Sequence, residues 1–238
     1  MRLKTAAALI SLSLVCFLPR VSFADDITFT GLGSQSQNVD NEWTYPYLFT
    51  VDGPGGTSTN VPLACMNYNL DINMNESWDV TAIIVGSISP SFTTVVDGTT
   101  YTGTQIIEDA YLYNEYAPYI ASNNTQEISD IQFAIWDIMD PGDGGNTGLD
   151  SGALGLVTGA QNNALSQPSS AYVNDTLLIP IEGTQTPGNG TPQMFMTNPE
   201  PPALTPEPAS LVLLGTGMLG AVAIMRRKRV KTVKAVKA

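Results

Sequence analysis

Cys65 and Gln132 are the two residues of this chain whose types, taken together, allow one specific reaction. A thiol can attack the side-chain amide carbon of a glutamine and release ammonia, leaving an internal thioester. The step needs near-attack contact and the exclusion of water, because a thioester is an activated acyl group. The segments around both residues suit it. In VPLACMNYNLDI (61–72), strand alternation puts Leu63, Cys65, Asn67 and Asn69 on one face, with Ala64, Met66, Tyr68 and Leu70 on the other. In SDIQFAIWDIMD (129–140), the residues Ile131, Ile135, Ile138 and Met139 continue from Ile128 at the spacing of a buried helical stripe. Gln132 falls on that stripe. A carboxamide buried without partners costs roughly 1–3 kcal/mol. An amide placed there to be attacked, with Trp136 shielding the bond, gives the burial a purpose. The alternative is a Gln132 bonded to backbone at a helix–sheet junction and an inert Cys65 in the core.

Other chemistries are limited by what the chain lacks. There is no histidine, so neither a Ser-His-Asp triad nor a Cys-His pair can form. A zinc site needs Cys or His clusters, and no glycine-rich phosphate loop is present. The 22 carboxylates leave carboxylate-pair glycoside hydrolysis open. Asp140, Asp143, Asn146 and Asp150 make an oxygen-rich loop, DPGDGGNTGLD, whose spacing departs from the EF-hand. It reads as a solvated turn, with calcium binding as the alternative. No cofactor is expected.

Charge is distributed unevenly. Every Lys and Arg lies at Arg2, Lys4, Arg20 or between Arg226 and Lys237, whereas all Asp and Glu fall within 25–225. The central segment therefore has no side-chain cation and can form no internal salt bridge. Nucleic acid is excluded as a partner, since phosphate binding requires cations. A primary amine is the natural attacker of a thioester, and a domain without lysine cannot inactivate itself through its own side chains.

The ends read as addresses. Residues 1–24 combine a charged leader, an apolar run and the small-x-small site Ser22-Phe23-Ala24, the pattern of a secretory signal cleaved before Asp25. Cleavage removes Cys16 and leaves Cys65 as the one cysteine, which cannot pair within the chain. At the other end, a Pro-rich linker (199–208) leads to Pro206-Glu207-Pro208, an apolar run (209–225) and the basic cluster Arg226-Arg227-Lys228-Arg229. As a helix, the apolar run spans about 26 Å, slightly short of the hydrocarbon thickness of a typical bilayer. The basic cluster and the tail (230–238) stay cytoplasmic by the positive-inside rule. This order resembles the PEP-CTERM sorting signal of Gram-negative bacteria. The resemblance implies recognition by an exosortase-type membrane enzyme, transient anchoring in the inner membrane, and delivery to the outer surface or an exopolysaccharide matrix.

Between these ends, residues 25–198 alternate short β-prone runs with turn signals. Strands are expected over 27–30, 45–51, 61–72, 78–88, 176–181 and 193–197, with a hairpin at Asp97-Gly98. Helical spacing covers 104–121, with Pro118 as its end or kink. A second helix runs between N-cap residues at 123–125 and Asp140-Pro141-Gly142, and another covers 153–165. The class is α+β with β dominant: a sandwich or barrel interrupted by a helical pair, followed by a single transmembrane helix.

ISDIQFAIWDIM also resembles the glutamine motif of bacterial surface thioester domains, Thr-Gln-x-Ala-Ile-Trp. Gln132, Ala134, Ile135 and Trp136 match, and Ile131 stands in place of the threonine. LACMNYNL resembles the cysteine segment, and AYLYNEYA (110–117) the helix preceding the glutamine. The resemblance implies a β-rich fold with a helical insertion, and covalent adhesion to an amine-bearing surface or matrix target. The competing expectation is a passive matrix component, or a carbohydrate-binding module using Trp43, Tyr45 and Tyr47. Neither is a turnover enzyme, because the acyl bond is consumed once.

Overall fold

The computed structural model describes residues 22–39, 42–53, 56–141, 151–187 and 192–198. Among the described residues ten strands run in chain order: β1 (Ser22–Leu32), β2 (Asn38–Val39), β3 (Glu42–Trp43), β4 (Tyr47–Gly53), β5 (Gly56–Cys65), β6 (Ser77–Ile84), β7 (Thr93–Val96), β8 (Thr99–Thr102), β9 (Thr176–Pro180) and β10 (Phe195–Thr197). Six of them close an antiparallel barrel in the order β1-β4-β5-β10-β9-β6. Of the sandwich and barrel expectations, the barrel is the outcome. Inward positions follow the two-residue period: Tyr47, Phe49 and Val51 on β4 are buried, as are Trp78, Val80 and Ala82 on β6. Phe49 and Phe195 meet edge-to-face at 4.7 Å in the middle of this core.

The chain leaves the barrel after β6 and returns at β9. The excursion begins with the β7–β8 hairpin, where Asp97 (φ 49°) and Gly98 (φ 75°) form the expected tight turn. Both central positions of such a turn need positive φ, which the Asp-Gly pair supplies. Four helices follow among the described residues, the expected helical pair with two more: α1 (Gly103–Asn114), α2 (Tyr116–Ser122), α3 (Thr125–Met139) and α4 (Ser151–Asn163). Pro118 neither ends nor kinks the first of them. The break falls at Glu115, and Pro118 sits in the first turn of α2, where its missing N–H leaves no bond unmade. Thr102 and Gln105 form a reciprocal capping box at the start of α1, and Gln105 Nε2 also donates to Ile138 O at 2.8 Å. One side chain thus ties the start of α1 to the end of α3. Asn124 caps α3 as expected.

α3 serves two cores. Ile128, Ile131, Ala134, Ile135 and Ile138 pack with α1 and with the outer face of β5 at Ala64, next to Met66. Phe133 and Trp136 belong instead to the barrel interior with Leu63, Cys65 and Phe195. The 3.6-residue turn puts Gln132 on the seam between these faces.

β1 starts three residues before the expected cleavage site, so Ser22, Phe23 and Ala24 pair with Ala82, Thr81 and Val80. Downstream of that site, Ile27 and Thr28 still pair with Trp78 and Ser77. Among the described residues, no helix is long and apolar enough to cross a membrane; the run at 209–225 lies outside them.

Two outcomes test this packing. A Cβ on Gly103 would stand 2.0 Å from Ser89 O, a backbone atom that cannot swing aside. Gly103→Ala should therefore cost about 1–3 kcal/mol in a denaturant melt. Asp109 on α1 is fully buried, and neither oxygen has a hydrogen-bond partner among the described residues. Burial, then the charges of Glu108 and Asp140, push its carboxyl well above the usual range. The folded state then holds a proton that the unfolded state releases, so this group costs stability as pH rises above the unfolded value near ~4. Asp109→Asn should raise the melting temperature at neutral pH and flatten its fall between acid and neutral conditions.

Candidate functional site

Cys65 is the last residue of β5 and points into the barrel. Gln132 comes to it from α3, 67 positions later in sequence. The Gln132 carboxamide is wholly inaccessible, and its Nε2 donates to the Cys65 carbonyl at 2.6 Å. Its Oε1 accepts from the Tyr116 hydroxyl at 3.3 Å. Tyr116 stacks on Tyr45, with centroids 4.2 Å apart, and both are buried. The amide is therefore held from two sides: by the strand at its nitrogen and by α2 at its oxygen.

The sulfur has its own partners. The single S–H of Cys65 is shared between two acceptors, Asn67 O and Gln193 Oε1, each 3.1 Å from Sγ. Burial pushes the thiol up to about 12, with the Trp136 indole and the Asn67 backbone pulling the other way. At neutral pH the group is a thiol. The Trp136 indole lies against the sulfur and favours its ionised form, although Nε1 makes no hydrogen bond of normal geometry. Trp136 is buried between Phe133 and Tyr68, edge-on to each with centroids 5.3 Å apart.

Gln193, Asn67 and Tyr116 were not singled out by residue type or spacing. Gln193 arrives because β10 pairs with β5 in the register Phe195↔Cys65. Past the end of β5 the same edge continues, with Met66 N to Met194 O at 3.0 Å and Met194 N to Asn67 Oδ1 at 2.6 Å. The one local hint is the amide just before the apolar run Met194-Phe195-Met196. A cleft of roughly 90 Å³ leads from Glu42, Trp43 and Asp71 down to Cys65, Trp136 and Gln193.

The remaining candidates separate. Asp140 turns inward, where Oδ1 accepts from the Tyr101 hydroxyl at 3.0 Å and Oδ2 from Tyr68 N at 2.9 Å. Asp143, Asn146 and Asp150 lie outside the described residues, among which no three His, Cys, Asp or Glu are grouped to hold a metal. Trp43, Tyr45 and Tyr47 make no aromatic platform for a sugar. Tyr45 packs with the helices and Tyr47 inside the barrel, leaving Trp43 alone exposed.

Stability reads the amide clamp directly. In a Cys65→Ala background, where no covalent bond can form, Gln132→Leu strips the donor from the Cys65 carbonyl. The expected cost is about 1–3 kcal/mol in a urea melt, the penalty of an unpaired buried acceptor.

A PEP-CTERM protein-sorting motif matches residues 204–229, including Pro206, Glu207, Pro208 and the basic run from Arg226 to Arg229. The motif implies recognition by an exosortase, export, and transient anchoring in the membrane. No curated protein and no solved structure matches the chain. On its C-terminal segment, this chain carries the sorting signal of an exosortase-sorted exported protein.

Proposed function

We propose that the exported domain is a covalent adhesin whose working group is a thioester between Cys65 Sγ and Gln132 Cδ. In its formation the sulfur attacks Cδ, the Cδ–Nε2 bond breaks, and the thiol proton leaves with the nitrogen as ammonia. The observation that carries this reading is the fully buried carboxamide of Gln132, anchored on the backbone of the domain's free cysteine. The Tyr116 hydroxyl on Oε1 polarises the carbonyl that the sulfur would attack. Aromatic rings of Phe133, Trp136 and Tyr68 surround the position and limit water. Secretory export, exosortase processing and delivery to the surface or an exopolysaccharide matrix would bring this group to an amine-bearing target. The alternative gives the same two hydrogen bonds a structural task, a strut joining α3 to β5 in a non-covalent matrix protein.

Intact mass separates the two. Wild-type protein purified in detergent should weigh one ammonia less than its sequence requires, and Cys65→Ala protein should show no deficit. A thiol reagent should label Cys65 only after treatment with a primary amine. Full mass together with immediate labelling in denaturant would leave the strut.

A further inference from the structure

The cleft above Cys65 contains groups that the bond itself does not use. Trp43 and Asp71 are exposed at its mouth, Glu42 and Tyr68 are half-buried along it, and Asn67 and Trp136 are buried at its floor. Two donors on that floor make no hydrogen bond of normal geometry, Asn67 Nδ2 beside the Tyr101 hydroxyl and Trp136 Nε1 beside Cys65 Sγ, on residues only 1% and 2% exposed. The Trp136 donor is placed to serve a charge that develops on that sulfur.

We infer that this cleft is the acceptor path of the Cys65–Gln132 bond, an inference that rests on the thioester proposed above. It takes an unbranched alkylammonium, and the Glu42 carboxylate is the base that removes its proton. The walls fit that class. Two carboxylates, Glu42 and Asp71, attract a cation, and roughly 90 Å³ accommodates a narrow chain. An ammonium has no lone pair and cannot attack until it loses a proton. Residues 25–225 contain no histidine or lysine, so a carboxylate is the side chain available to accept one near neutral pH.

Glu42 is better suited than the exposed Asp71. Its proton affinity is raised by burial first and by the Asp71 charge second, against a hydrogen bond from Tyr68. The other titratable groups lining the cleft are Tyr68, Tyr47 and Cys65; the last two are shifted upward and stay neutral at this pH.

The step balances. Glu42 takes one proton from the ammonium, and the freed amine attacks Gln132 Cδ. The Cδ–Sγ bond breaks, and the second nitrogen proton passes to the departing sulfur. A secondary amide and a Cys65 thiol remain, and Glu42 returns its proton to water. The Trp136 N–H lies where the sulfur carries its charge as it leaves.

The test treats the full chain in detergent with n-butylamine and follows adduct formation by intact mass. Wild type should react at a rate nearly independent of pH from neutrality up to the amine's own titration near ~10, because the bound ammonium is the reactant. Glu42→Gln should keep the ammonia deficit, lose at least about tenfold in rate at pH 7, and show a rate rising about tenfold per pH unit. Cleavage by hydroxylamine, uncharged at neutral pH, should be equal in both. Equal butylamine rates in the two proteins, each with the deficit present, would overturn the role of Glu42 and leave the thioester standing. If Glu42→Gln forms no bond, the wild-type profile decides, and a tenfold rise per pH unit there would also overturn it. A wild type of full mass removes both proposals.

Discussion

One hydrogen bond joins the two halves of this domain at their most sensitive point: Gln132 Nε2 of the central helix to the backbone carbonyl of Cys65. Around it, α3 divides its apolar side chains between the barrel interior and the helical cluster. A carboxamide on that seam has no water to fall back on, so its position depends on Cys65 O and the Tyr116 hydroxyl. The Tyr116 ring is in turn set by Tyr45. Shift any of these and a buried amide is left unpaired, so the two hydrogen bonds hold the seam in one arrangement.

The absence of cations shapes the rest. With no Lys, Arg or His between residues 25 and 225, each carboxylate that enters the interior must find neutral donors or keep its proton. Asp140 takes the first course through Tyr101 and Tyr68, and Asp175 does so through Asn114 and Asn198. Asp109 takes the second.

Much of the architecture could be read from local pattern. The Asp97-Gly98 hairpin, the N-cap at Asn124, the buried stripe of α3 and the inward parity of Leu63 and Cys65 each follow from periodicity or turn chemistry over a few residues. Pro118 was misleading because proline is harmful inside a helix yet harmless in its first turn, and the break one turn earlier at Glu115 carries no residue signature. The aromatic trio Trp43, Tyr45 and Tyr47 looked like a surface platform. Two closed cores claimed Tyr45 and Tyr47, and burial of such large rings outweighs any local polarity.

The sequence by itself determined the chemical inventory: the Cys65 thiol, a glutamine on an apolar helix face, no histidine, no lysine or arginine between residues 25 and 225, and the sorting signal at the C-terminus. Only the tertiary structure decided that the Gln132 carboxamide meets the backbone carbonyl of Cys65, that Tyr116 holds its oxygen and Gln193 the sulfur, and that Glu42 lines the cleft above. Those meetings join residues far apart in the chain, through a strand register and a barrel closure. Periodicity reports which face a side chain occupies; it carries nothing about which distant face will close over it.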